Sequence, residues 1–201
     1  NMISSIAIIG KPNVGKSSIF NKLTSSRSAI VSNFSGVTKD RNIGYLETST
    51  ENKYLIIDTG GIGKAEDDLQ NSISAQAWFA AEESDLVLFV IDGSVELSSE
   101  DLEILLKLRK SNIYFKVVIN KVDIKKQSAA KNDLTKKGIK EFILVSAEHS
   151  IGFKGLINTI KSSVKPTIDY INENDSIQIA VIGRPNSGKS TFINSVTKDN
   201  R

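Results

Sequence analysis

An α/β fold, a mostly parallel sheet covered by helices on both faces, is predicted by three observations. Short apolar runs rich in branched residues alternate with segments of helical spacing. Those runs are apolar nearly throughout, as strands buried on both faces require. Polar and glycine-bearing loops follow their carboxyl ends, where open α/β sheets take their ligands. The runs are Ile6 to Ile9, Tyr54 to Ile57, Leu86 to Ile91, Phe115 to Ile119 and Phe142 to Val145. Helical spacing is found in Ser17 to Leu23, Leu69 to Glu82, Ser99 to Arg109, Gln127 to Lys136 and Gly155 to Ser163. Ser98 or Ser99 can cap the third of these.

The alternation breaks at Val164 to Ser176, which holds Pro166, few aliphatics and a polar run from Asn172. This reads as a linker after a first domain of residues 1–163. Beyond it, Ile177 to Ser190 repeats the pattern of Ile6 to Ser17, so residues 177–201 open a second copy of the same domain. A chain of 201 residues has room for one complete core and a remainder. The bare apolar strand Ile177 to Ile182 is expected to be disordered, docked or paired.

Composition excludes several classes. The chain has no cysteine, hence no disulfide framework, thiol nucleophile or cysteine-ligated zinc. A net charge of +3 is too small to imply nucleic acid by itself. The longest apolar run, Leu86 to Ile91, is far short of the roughly 20 residues that cross a bilayer. The apolar start at Ile6 lacks a basic region and a cleavage site, so a cytoplasmic location without membrane association is expected.

Gly10-Lys11-Pro12-Asn13-Val14-Gly15-Lys16-Ser17 satisfies G-x-x-x-x-G-K-[ST] directly after a strand and at the start of a helix. This predicts a P-loop NTPase. Glycines let backbone N–H groups turn inward around phosphate oxygens, and the helix N-terminus adds partial positive charge. Lys16 is expected to reach the outer phosphates and Ser17 to bind Mg2+, with contacts running from Gly10 to Ser18. A second copy occupies Gly183-Arg184-Pro185-Asn186-Ser187-Gly188-Lys189-Ser190. Within this sequence it has no switch or base loop of its own.

The remaining loops select the nucleotide. Asn120-Lys121-Val122-Asp123 follows a strand directly. A carboxylate at Asp123 can accept from both N1–H and the exocyclic amino group of guanine, a donor pair adenine lacks. The stem of Lys121 can cover the base, and Asn120 can tie this loop to the phosphate loop. Ser146-Ala147, after the last strand, would add a backbone contact to the base carbonyl. GTP and GDP are the expected ligands.

Asp58-Thr59-Gly60-Gly61 fits a D-x-x-G loop, Asp58 holding Mg2+ through water and the Gly61 N–H touching the γ-phosphate. Thr38 is the expected Mg2+ ligand of the triphosphate state, which makes Ser32 to Arg41 and Ile62 to Asp68 two mobile segments. Ile62 stands where many GTPases carry a water-orienting glutamine, so unaided turnover should be slow. Asn13 is a candidate ligand for K+ lying between the phosphates. The residues expected to act on the reacting phosphate are thus Asn13, Lys16, Thr38 and Gly61.

With these residues assembled, the sequence resembles the Der (EngA) family of GTPases, in which two Era-like G domains precede a KH-like domain. The resemblance rests on both phosphate loops, Gly36-Val-Thr-Lys-Asp-Arg41, Asp58-Thr-Gly-Gly-Ile62 and Asn120-Lys-Val-Asp123. It implies a Ras/Era-like G domain, Mg2+-dependent GTP hydrolysis stimulated by K+, and a part in assembling the large ribosomal subunit. Ser35 and Lys39 depart from the family's usual proline and arginine but leave Thr38 in place. The KH-like domain lies outside this sequence, so direct RNA binding is not expected of it. Two other readings compete: a regulatory guanine-nucleotide module with negligible hydrolysis, and an Era-like GTPase of tRNA modification or iron transport.

Other residues carry less. His149 reads as a solvated loop residue, Trp78 and Phe79 as core, and Lys125, Lys126, Lys136 and Lys137 as solvated helix ends. Lys11 and Arg184 could face solvent or a partner.

Overall fold

The computed structural model describes residues 4–24, 42–48, 52–60, 73–122 and 129–168. The chain divides into two compact units, residues 1–169 and 170–201, and the second lies outside the described residues.

The first unit is a sheet with helices on both faces. In chain order its elements are β1 (Ser5–Ile9), α1 (Lys16–Thr24), β2 (Asn42–Glu47), β3 (Asn52–Asp58), α2 (Ala75–Glu82) and β4 (Leu86–Asp92). There follow α3 (Ser99–Lys110), β5 (Phe115–Asn120), α4 (Ala129–Lys136), β6 (Phe142–Leu144), α5 (Phe153–Ser163) and β7 (Thr167–Ile168). The strand order is β2-β3-β1-β4-β5-β6. β3, β1, β4, β5 and β6 are parallel, while β2 runs antiparallel to β3. Each of the five predicted strands and five predicted helices is met by an element, but α2 begins only at Ala75 with Ser74 as its extended N-cap, and residues 69–72 and 127–128 of the predicted helices lie outside the described residues.

Period-two alternation along the central strands divides the core. Ile6 and Ile8 of β1 face α1 and α5, packing with Ile19, Phe20, Leu23, Leu156 and Ile160. Ala7 and Ile9 face the other layer, with Trp78 of α2, Leu105 and Leu108 of α3 and Leu134 of α4. β1 and β4 have fully buried side chains on both faces, which is why their sequences read as continuous apolar runs. The α3 cap is Ser98, whose hydroxyl accepts from the Asp101 N–H while Asp101 accepts from the Ser98 N–H. This reciprocal capping satisfies two helix-end donors.

Three expectations change. β2 went unread because its buried face carries only one aliphatic, Leu46, beside Gly44, where a Cβ would press on Thr24 Cγ2 at 2.8 Å. The stretch read as linker begins inside the folded unit. β3 starts at Asn52, ahead of its pairing with β1 from Leu55, and Thr167 and Ile168 pair with the projecting Lys53 and Asn52. Phe79 is 56% exposed, not core, since α2 turns only Ala77, Trp78, Ala80 and Ala81 inward. No helix among the described residues is long and apolar enough to cross a membrane.

Candidate functional site

The phosphate loop leaves β1 at Gly10 and enters α1 at Lys16. Gly10 (φ 151°) and Gly15 (φ 94°) hold conformations that L side chains rarely adopt. Space demands glycine as well: a Cβ would strike the Val90 carbonyl at Gly10 and the Asn120 side-chain amide at Gly15. Val14 is buried and anchors the loop, while Pro12 and Asn13 are exposed at its crest, Asn13 with φ 64°. The helical ladder begins with Ile19 N–H to Gly15 C=O. Earlier first-turn N–H groups, Ser17 and Ser18 among them, have no intrahelical partner.

Lys16 is 8% exposed and donates to the carbonyls of Gly10 at 2.7 Å and Lys11 at 2.8 Å. Burial pulls its pKa below the usual lysine value, and the nearby Asp58 charge partly restores it. Asp58, at the end of β3, is fully buried; its Oδ1 accepts from the Gly60 N–H at 2.8 Å, but Oδ2 has no hydrogen-bond partner. A Cβ on Gly60 would lie 3.0 Å from Asp58 Oδ1, 3.2 Å from Ser17 Oγ and 3.3 Å from Lys16 Cε, so the three side chains converge there. An unpartnered buried carboxylate oxygen costs about 1 to 3 kcal/mol or more. The Asp58 carboxylate and the Ser17 hydroxyl, both close to Gly60, are oxygen donors of the kind that fits Mg2+.

Two phosphate-side residues point elsewhere. The Thr59 hydroxyl donates to the Ile8 carbonyl at 2.7 Å, facing the sheet. Lys11 extends to α3, pairing with Asp101 Oδ2 at 2.8 Å and donating to Ser98 Oγ at 3.0 Å. Its ammonium therefore braces the loop from outside.

The other end of the site is organised by Asn120, 2% exposed at the end of β5. Its Nδ2 donates to the Val14 carbonyl at 2.9 Å and its Oδ1 accepts from the Ala147 N–H at 3.0 Å. One side chain thus joins the phosphate loop, the β5 loop and the Ser146-Ala147 turn. The Ala147 N–H, expected at a base carbonyl, is engaged by Asn120 here. Ser146 is buried and its hydroxyl accepts from the His149 N–H at 3.3 Å. Lys121 has φ 60° and pairs with Asp92 Oδ2 at 2.7 Å, and the Val122 N–H donates to Val145 C=O at 3.3 Å. A cleft of about 520 Å³ opens here, lined among others by Gly15, Ser18, Asn21, Lys121, Ala147 and Glu148.

Asn21, Glu148 and Asp92 belong to this surroundings and were not singled out from sequence. Asn21 could have been found as the residue one helical turn beyond Ser17 and Ser18; nothing in the spacing links Asp92 to Lys121. Thr38, Gly61, Ile62, Asp123 and the second phosphate loop, Gly183 to Ser190, lie outside the described residues, as do both expected mobile segments. His149 is exposed.

A family model described as "50S ribosome-binding GTPase" matches residues 5–121 and 178–201. GTPase Der of Saccharophagus degradans is 37% identical over 202 residues, taking in all of this chain and 43% of that protein. GTPase Der of Stenotrophomonas maltophilia is 38% identical over 203 residues, 44% of its length. The chain therefore spans less than half the length of these curated relatives. Among solved structures, Era of Aquifex aeolicus bound to GDP·AlF4− aligns with a TM-score of 0.67 at 28% identity, over 90% of this chain and 63% of that one. Fold, phosphate loop and relatives agree: the chain belongs to the family of 50S ribosome-binding GTPases, among the Der GTPases.

Proposed function

We propose that the first unit binds GTP and GDP and hydrolyses GTP to GDP and phosphate, as the switch of a longer protein acting in large ribosomal subunit assembly. The observation that carries this is two clusters joined through the phosphate loop. Lys16, Ser17 and Asp58 converge beside Gly60, and Asn120 binds the base loop to the phosphate loop. Loop N–H groups and Lys16 hold the phosphates, Lys16 exchanging its two loop carbonyls for phosphate oxygens of higher charge. Asp123 reads guanine, and the Lys121 stem covers the base.

Ser17 and Asp58, with Thr38 in the triphosphate state, would hold Mg2+, which when bound neutralises charge on the outer phosphate oxygens. The printed likenesses support this. An Era structure with MgGDPNP aligns at 32% identity and a TM-score of 0.66, and another Era structure holds GDP·AlF4−. Gly61 supplies an N–H to the γ-phosphate. Ile62 cannot hydrogen-bond water, so Asn13, exposed on the left-handed crest, offers its side-chain oxygen to K+. The first unit is one G domain, and the sequence after it opens another.

The test is competition of GTP against ATP for the chain in Mg2+, then single-turnover hydrolysis in K+ and in Na+. GTP should win by orders of magnitude and turn over faster in K+, an advantage lost in Asn13→Ala. ATP competing equally overturns the nucleotide assignment. Tight GTP binding without turnover in either salt leaves the regulatory-module reading instead. Co-sedimentation of the full-length protein with ribosomal subunits in GTP tests the assembly role, and no association in either nucleotide overturns it.

A further inference from the structure

β4 ends in Asp92-Gly93-Ser94, a turn that lies against the base loop yet belongs to none of the nucleotide motifs. Asp92 Oδ2 pairs with Lys121 Nζ at 2.7 Å, while its Oδ1 accepts from the Ser94 N–H at 2.9 Å and from the Ser94 hydroxyl. The carboxylate is 14% exposed and the lysine 44%, so the pair is only partly screened. Gly93 donates to the Asn120 carbonyl at 2.7 Å, and a Cβ there would press on Ile119 Cγ2 at 2.7 Å and on that carbonyl at 2.8 Å. The turn is therefore seated directly on the backbone of Asn120. Lys121 itself sits at φ 60°, a conformation an L residue holds only when its surroundings impose it.

We infer that Asp92 is a positioning residue for nucleotide recognition: its carboxylate anchors the Lys121 ammonium and so stretches the lysine stem along the face of the cleft where the base lies. This rests on the guanine-nucleotide reading of the cleft and adds to it a residue outside the motifs. An unanchored lysine carries several freely rotating bonds, whose ordering would otherwise oppose binding. Asp92 is already held by Ser94 and cannot swing away with its partner. Burial opposes the charged form, but the lysine and the two Ser94 donors together outweigh it and draw the pKa of Asp92 down, so the anchor is charged throughout the neutral range.

The test is a double-mutant cycle on the 201-residue chain, read by the dissociation rate and Kd of GDP. Asp92→Asn should weaken GDP about fivefold with Lys121 present and by less than about twofold in a Lys121→Met background, with the thermal midpoint little changed. Should Asp92→Asn fold poorly, Asp92→Ser is read in the same way, because its hydroxyl can still accept from Ser94. Equal weakening in both backgrounds, or none in either, overturns the inference. A wild-type chain that does not bind GDP would instead overturn the guanine reading, and the two failures are told apart by that first measurement.

Discussion

Asn120 and Val14 are joined, side-chain amide to backbone carbonyl at 2.9 Å, across 106 positions of sequence. Because the same amide group also holds Ala147, its removal strands a buried carbonyl on one loop and a buried N–H on another. Each unsatisfied group costs about 1 to 3 kcal/mol. Asn120→Ala is therefore expected to lower stability by about 3 kcal/mol in urea denaturation and to weaken GDP more than tenfold. An unaltered GDP affinity would show that the two loops are aligned without it.

Gly15 and Gly138 separate conformation from space. Both have left-handed φ, but a Cβ at Gly15 strikes the Asn120 amide whereas one at Gly138 meets nothing within 4 Å. Gly138→Ala should cost about 1 kcal/mol of stability and leave nucleotide binding intact. Gly15→Ala should abolish GDP binding, since the loop and Asn120 cannot both stay in place. Calorimetric titration of the two variants checks the contrast.

Lys11 and Asp101 form a pair whose carboxylate is 3% exposed. Lys11→Met leaves that charge with only the Ser98 donors, an expected loss of about 2 kcal/mol. Asp101→Asn also weakens the α3 cap, about 1 kcal/mol. The double variant should lose about 1 kcal/mol less than the two losses added together, as partners in one network do. Strict additivity by urea denaturation would mean that the loop is not braced on α3.

Lys16 makes a signed prediction about pH. Its native pKa lies below the unfolded value of 10.5, so between the two the unfolded chain binds more protons. This group's contribution therefore makes stability rise with pH through that window, and Lys16→Met should flatten the rise relative to wild type. GDP affinity should move oppositely, falling as the ammonium deprotonates. Denaturation midpoints and Kd values measured at several alkaline pH values test both signs.

The sequence was legible where one residue type answers to local physics. Ile6 to Ile9 and Leu86 to Ile91 announce buried strands because both faces of each are covered. Gly10 to Ser17 announces a phosphate loop because its concave turn needs glycine at Gly10 and Gly15, where the backbone is left-handed and a Cβ would strike its neighbours. Asn120 was assigned its tie to the phosphate loop from its place after a strand. β2 was missed because Gly44 conceals the alternation, and β7 because its pairing depends on how far β3 projects past β1.

What the sequence determined by itself is the alternation of five of the strands with the five helices, the phosphate loop and the nucleotide class its loops imply. Those follow from contacts within a few residues, where spacing and chemistry are read together. Only the tertiary structure decided that Lys11 braces α3, that Thr59 faces the sheet, and that Asp92 reaches Lys121. Each joins groups far apart in the chain, and which of several equally suitable polar side chains meets a given partner is set by strand register and packing, which no local pattern encodes.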